Sequence, residues 1–217
     1  MEPTIRETTS TFAWAAARDP ANRLALALLV SATAFAWVGL VAFEGGMGAV
    51  PFLTGWTLMM AAMMLPSIAP LIVLHRGPRV PLTLGYLSVW TAVGLIPFAA
   101  MSLSLEPATP VILGLAGVYE LSPLKAACLR RCASAAAFLM EHYRSGSFRL
   151  GVEHGLWCLG CCVGLMAVLV FAGSMGLGWA VAIAAVVFAQ KVVTDGQLSA
   201  RVVGIGLVGG AVVTALA

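Results

Sequence analysis

Residues 24–43 read LALALLVSATAFAWVGLVAF, an uncharged run of apolar and small side chains. An α-helix of about 20 such residues spans the hydrocarbon core of a bilayer, because each residue adds about 1.5 Å along the axis. The apolar part of a cleaved signal sequence is shorter, at roughly 7–15 residues. We therefore expect this segment to be retained as a first transmembrane helix, preceded by a cytoplasmic segment over residues 1–23.

The composition of the whole chain agrees with a lipid environment. Of its 217 residues, 61% are hydrophobic and 10% are charged, whereas soluble domains are about half apolar and a quarter charged. The sequence contains no phosphate-binding loop, nucleophile elbow, dinucleotide fingerprint or long hydrophilic segment. An enzyme is therefore the less expected class, membrane lipid is the expected surrounding, and no nucleic-acid partner is expected.

Further apolar stretches predict an all-α, polytopic transmembrane bundle of about seven short helices, which forms one domain over residues 24–217. The other six helices are expected at residues 52–74, 82–103, 111–121, 150–171, 177–193 and 202–217. Residues 124–140, LKAACLRRCASAAAFLM, predict an amphipathic interfacial helix between the fourth and fifth transmembrane helices. A second short interfacial helix is expected over residues 11–17.

The basic residues are sorted to one side of these helices. All 12 lysines and arginines precede the first helix, lie between helices two and three or four and five, or lie from the last residues of helix six to the start of helix seven. The charged residues of the opposite loops are Glu44 and Glu106. Because loops rich in Lys and Arg stay in the cytoplasm, we expect a bacterial inner-membrane protein with a cytoplasmic N-terminus and an external C-terminus.

Candidate metal ligands recur at helical spacing on the cytoplasmic side. They form two groups: Cys128 and Cys132, and His154, Cys158, Cys161 and Cys162. The spacing i, i+4, i+7 and i+8 places the second group on one stripe of a helix, which is expected to face the protein interior. Thiolates and imidazole suit soft or borderline metals. The alternative is packing, because free cysteine is also a common core residue.

Copper is the expected metal, and zinc is the less favoured alternative. Zn(II) prefers four ligands in a tetrahedron, so Cys128 or Cys132 would have to fold back onto the helix that carries Cys158. Cu(I) accepts fewer soft ligands. Either metal requires deprotonated thiols, so binding should release protons and weaken as the pH falls.

A second set of soft ligands lies in the helix predicted over residues 52–74. Its thioethers share less than half of the helix circumference: Met59, Met60, Met63 and Met64. Thioethers bind Cu(I), but methionine also fills irregular space beside a kink, and Pro66 and Pro70 follow closely. Met59 and Met60 are expected nearer the outer leaflet than the cysteines, which favours two sites along a path over one shared site.

Polar side chains cluster where the predicted fourth helix leaves the membrane. Tyr119, Glu120 and Lys125 lie there. Glu120 and Lys125 form either an ion pair or a solvated helix end, and the sequence leaves both alternatives open. Tyr86 and Trp90, four residues apart in the third helix, are expected to pack.

Four stretches carry a resemblance to a known family: WTLMMAAMMLPS at 56–67, GYLSVW at 85–90, YELSPLKAACLRRC at 119–132 and HGLWCLGCCVGLM at 154–166. With them the chain resembles the bacterial predicted metal-binding integral membrane proteins, a domain of unknown function. The resemblance implies a membrane location and a metal site without a known activity. It also implies glutamine in place of Glu120 and glutamate in place of Gln190. We therefore expect these two side chains to approach each other as an exchanged pair.

Three functions remain open. The first is the binding or movement of a soft metal for trafficking, insertion into a partner, or tolerance. The second is thiol–disulfide or quinone-linked redox chemistry at Cys158 and Cys161, which a reducing cytoplasm disfavours. The third is an accessory subunit that packs on a partner in a larger membrane complex.

Overall fold

A computed structural model describes residues 18–43, 48–103, 109–142, 144–172, 176–193 and 195–216. Every regular element in these ranges is helical, which confirms the all-α class. The interfacial helix expected over residues 11–17 lies outside the described residues.

The helices are short, and several follow one another with little or no loop. In chain order they are α1 Pro20–Ala42, α2 Ala49–Met64, α3 Ala69–Leu74, α4 Arg79–Val93, α5 Leu95–Ser102, α6 Thr109–Glu120, α7 Pro123–Ala133, α8 Ala135–Glu141, α9 Ser147–Ala167, α10 Leu177–Phe188 and α11 Gly196–Leu216. A 3-10 turn over Leu65–Ile68 joins α2 to α3, and π-helical turns over Val168–Ala172 and Ala189–Val193 extend α9 and α10.

The number of long apolar helices differs from the expected seven. Among the described residues, five are long and apolar enough to cross a membrane: Pro20–Ala42, Ala49–Leu74, Arg79–Ser102, Ser147–Phe171 and Gly196–Leu216. The expected fourth helix belongs to a pair, α6 and α7, that bends by 63°, and would make a sixth span if the pair crosses together. The expected sixth helix, Leu177–Val192, is apolar but short.

Two predicted helix starts shift toward the N-terminus. Helix α1 begins at Pro20 because the Asp19 carboxylate accepts a hydrogen bond from the Ala21 amide at 2.9 Å and proline suits the first helical position. Helix α11 begins at Gly196, so Arg201 lies inside the helix and not in the loop before it.

The expected interfacial helix is two helices. Helix α7 ends at Ala133, and α8 begins two residues later. On α7 the basic side chains of Arg130 and Arg131 are exposed, whereas Cys128 and Cys132 are buried. The amphipathic pattern therefore describes α7 alone, and its inner face points at α9.

Glycines bring α4 and α9 into close contact. A Cβ atom placed on Gly151 would overlap the backbone carbonyl of Leu82, and one placed on Gly85 would overlap the carbonyl of Phe148. Small residues allow helix backbones to approach in this way. The contact sets Tyr86 on α4 beside Cys158 on α9, and so creates one wall of the site described below.

Large apolar side chains cover much of the outer surface. On α1, for example, Phe35 is 73% exposed and Val38 is 67% exposed.

Inside the bundle, the four methionines of α2 pack in one hydrophobic core with Trp56 and Trp90. The indole of Trp56 donates a hydrogen bond to the carbonyl of Trp90 at 2.8 Å, which joins α2 to α4.

Candidate metal centre

The predicted stripe of ligands on α9 faces inward. His154, Cys158, Cys161 and Cys162 are each at most 1% exposed. This confirms the prediction that the stripe lines the interior, since none of the four side chains lies on the outer surface.

Three cysteine sulfurs converge at one point. The Sγ atoms of Cys132, Cys158 and Cys161 lie within 4.8 Å of one another. Thiolates about 2.3 Å from a shared ion would lie about 4 Å apart in a trigonal arrangement. The observed spacing therefore fits three thiolates around one metal ion. Helix α7 supplies one ligand and α9 supplies two, so the helix after the bend does fold back onto the stripe.

The other two cysteines lie outside this three-sulfur cluster. Cys162 Sγ is 3.5 Å from Cys161 Sγ, on the edge of the cluster. Cys128 packs against α9, where a Cβ on Gly160 would come within 2.8 Å of its sulfur. Both are buried. Their prediction as ligands stays a prediction, and Cys128 serves below as a matched control.

Two polar groups that sequence reasoning did not assign to the site contact Cys158. The Lys191 ammonium donates to Cys158 Sγ at 2.8 Å, and the Tyr86 hydroxyl lies 2.9 Å from the same sulfur. Lys191 also reaches Ser67 Oγ at 3.4 Å. The sequence suggested a loop charge for Lys191 and simple packing for Tyr86. In the structure, Lys191 is 6% exposed and Tyr86 is fully buried.

His154 lies beside the cluster but not within it. Its ring packs edge-on against Phe138, with centroids 5.1 Å apart. Its Nδ1 atom is buried and has no hydrogen-bond partner among the described residues. The side chain lines a cavity of about 10 Å³, together with Ser67, Cys132 and Lys191. That volume is close to the minimum needed for one water molecule.

The methionine stripe packs in the hydrophobic core. Met59, Met60, Met63 and Met64 are all at most 5% exposed. Met64 connects to the site through its backbone, because its carbonyl accepts a hydrogen bond from Ser67 Oγ at 2.8 Å. A role for the thioethers as copper ligands stays a prediction.

A closed polar ring lies next to the sulfur cluster. Lys125 Nζ donates to Glu120 Oε1 at 2.6 Å and to Gln190 Oε1 at 3.1 Å. Gln190 Nε2 donates to Glu120 Oε2 at 3.2 Å. The expected approach of Glu120 and Gln190 is confirmed. Of the two alternatives for Glu120 and Lys125, the buried ion pair is correct and the solvated helix end is wrong, because both side chains are buried.

The remaining predicted polar residue ties neighbouring helices together. The Tyr119 hydroxyl donates to the carbonyl of Gly160, which joins α6 to α9.

At the start of α9, His75 Nε2 lies 2.9 Å from Ser147 Oγ. Burial, and then the nearby positive charge of Arg79, lowers the pKa of His75, which favours the neutral imidazole in this contact.

Three buried thiols that converge inside an apolar helical bundle are a ligand set that suits a soft metal ion. Residues 53–214 match the PpoB2 family, which is described as a copper chaperone family. The match covers the three-sulfur cluster, the ring and Lys191, and the chain belongs to this family. Copper is thus the metal that both the family and the thiols support. No curated protein and no solved structure matches the chain.

Proposed function

We propose that the protein is an integral membrane copper chaperone that carries Cu(I) as cargo on Cys132, Cys158 and Cys161. The observation that carries the proposal is the convergence of these three sulfurs within 4.8 Å. Among the described residues, no fourth cysteine, histidine or carboxylate lies within 4.8 Å of all three sulfurs, although Cys162 Sγ is 3.5 Å from Cys161 Sγ. Cu(I) accepts a small number of soft ligands, whereas Zn(II) prefers four.

Lys191 acts as the counter-ion of the site. Three thiolates around one monovalent ion carry two negative charges in excess. A buried charge is costly unless an opposite charge compensates it. The Lys191 ammonium, 2.8 Å from Cys158, offsets one of the two. The Tyr86 hydroxyl at 2.9 Å is a second group that stabilises negative charge on the same sulfur.

A small cavity lies beside the cluster and has room for about one donor atom. Cys132 and His154 both line it. A Cu(I) ion held by three ligands has room for an incoming one, so a donor atom of an acceptor can bind before the chaperone thiolates leave. We propose that the acceptor is a protein partner in the same membrane, which presents its own soft ligands at the cytoplasmic side of the bundle.

The membrane environment is part of the proposal. Five helices have the length and hydropathy of spans, and the exposed side chains of α1 are large and apolar. Lipid favours such a surface, whereas water does not. The one-sided distribution of Lys and Arg supports an inner-membrane location with a cytoplasmic N-terminus and an external C-terminus. The proposed orientation also requires α6 and the short helix α10 to cross the membrane, because it places residues 106 and 130 on opposite sides and residues 130 and 196 on the same side.

Copper binding by full-length protein purified in detergent tests the metal site. Under anaerobic conditions the wild type is expected to bind one Cu(I) per chain. Replacing Cys132 with serine should lower the affinity by at least about tenfold, because changes that merely disturb a ligand already cost that much. X-ray absorption should show the sulfur coordination falling from three to two.

Cys128→Ser is the matched control, since Cys128 lies one turn earlier on the same buried face of α7 and outside the cluster. Its copper affinity and coordination should equal those of the wild type. Equal losses in the two variants would contradict the assignment of Cys132, and a wild type that binds no Cu(I) would contradict the proposed function.

Reporter fusions test the proposed topology. Fusions after residues 77, 130 and 196 are expected to report the cytoplasm, because these positions lie in or beside the basic segments. Fusions at residues 45 and 106, in the acidic segments, should report the external side. An external signal at residue 77, 130 or 196 would contradict the proposed orientation.

A further inference from the structure

We propose that Glu120, Lys125 and Gln190 form a positioning ring that holds Cys132 and Lys191 at the copper site. None of the three side chains touches the three-sulfur cluster, so the ring acts through the residues it fixes. The inference rests on the proposed function, because the group being positioned is a copper ligand.

The first link runs along α7. Lys125 and Cys132 are seven residues apart on α7. At about 100° per residue, this separation is roughly 20° short of two full turns, so both side chains lie on the same side of the helix. Both are buried. Ser122 caps α7 by accepting a hydrogen bond from the Lys125 amide at 3.1 Å. Fixing the Lys125 ammonium on Glu120 therefore fixes which face of α7 points at α9.

The second link runs through the π-helical turn Ala189–Val193. Gln190 belongs to the ring and Lys191, the next residue, donates to Cys158. One backbone segment thus carries both contacts. When Gln190 is held by Lys125 and Glu120, the position of the Lys191 ammonium over the sulfur is set as well.

The ring depends on its charge balance. The side chains of Lys125 and Glu120 are both fully buried, and Lys125 Nζ lies 2.6 Å from Glu120 Oε1. Removing the carboxylate leaves a buried ammonium with amide oxygens alone, which is strongly unfavourable. We expect the ammonium to move toward water and to take α7, with Cys132, away from α9.

The geometry also allows an exchange of two ring members. Gln190 Oε1 already accepts from Lys125, and Gln190 Nε2 already donates to Glu120. A carboxylate at position 190 and an amide at position 120 would keep one positive charge, one negative charge and the same closed pattern of hydrogen bonds. The double change E120Q/Q190E therefore preserves the ring, whereas E120Q alone breaks it.

Cu(I) binding and X-ray absorption on the full-length variants test the inference. E120Q is expected to lose about 10- to 100-fold in Cu(I) affinity, as is typical when a group that orients a ligand is removed, and to hold copper with two sulfurs in place of three. E120Q/Q190E should regain three-sulfur coordination and an affinity within a few fold of the wild type. The control is E141Q, which removes the exposed ion pair of Arg131 with Glu141 and should change neither property.

The outcomes separate this inference from the proposed function. Three-sulfur copper at wild-type affinity in E120Q would overturn the ring's role. A folded E120Q/Q190E protein with two-sulfur copper would also overturn it. If E120Q cannot be purified in folded form, the exchanged variant alone decides between these results. A wild type that binds no copper would instead defeat the proposed function itself.

Discussion

Replacing Cys158 and Cys161 together with serine is expected to abolish Cu(I) binding. The two thiols are two of the three converging sulfurs, and both belong to α9. Serine places a hard, protonated hydroxyl where a soft thiolate is needed. Because disturbing a ligand's surroundings already costs about 10- to 100-fold, losing two ligands should lower the affinity by more than about 100-fold. Competition with a Cu(I)-specific chromophoric chelator measures the change.

The matched control is Cys128→Ser. Cys128 is buried on α7 but lies outside the three-sulfur cluster. This variant should retain one Cu(I) per chain at close to wild-type affinity. If C158S/C161S retained full copper stoichiometry, the thiols of α9 would be packing groups. The better-supported function would then be that of an accessory subunit in a membrane complex.

Replacing Gly151 with alanine is expected to disrupt the bundle. The added Cβ would overlap the backbone carbonyl of Leu82 on α4, and a backbone atom cannot rotate away as a side chain can. Overpacking costs about 1–3 kcal/mol even where side chains adjust, so we expect a loss of about 3 kcal/mol or more in the free energy of unfolding. Thermal unfolding of the detergent-purified protein, followed by tryptophan fluorescence, measures it.

Gly206→Ala is the corresponding control on α11. A Cβ at Gly206 meets no atom within 4 Å, and alanine is favoured over glycine in a helix by roughly 0.5–1 kcal/mol. This variant should be as stable as the wild type or slightly more stable. Equal stability of the two variants would show that α4 and α9 are not in close backbone contact.

Helical spacing predicted the parts of the site that lie on one element. The inward stripe from His154 to Cys162 follows from positions that recur every three or four residues, because that period places them on one face. The pairing of Glu120 with Gln190 came from a resemblance combined with a shared depth in the membrane. The first prediction required only local geometry, whereas the second also required the resemblance and the assignment of each helix end to one side of the bilayer.

The parts that join separate elements were harder to predict. Cys128 and Cys132 share a face of α7, so spacing alone could not show which sulfur meets Cys158. Lys191 was missed because a lysine at the end of an apolar segment is typical of a loop, and nothing in the sequence revealed the π-helical turn that buries it. The sequence did indicate the bend before α7, because Ser122 followed by Pro123 is typical of the start of a new helix.

The two sulfur-bearing helices and the lysine lie far apart along the chain, and this affects when the centre is built. A growing polypeptide delivers Cys132 first, then Cys158 and Cys161, and Lys191 only after α10 has been synthesised. A chain that stops before that point has the three thiols but lacks the ammonium that contacts Cys158. The complete centre therefore exists only when the chain has been made as far as the π-helical turn Ala189–Val193.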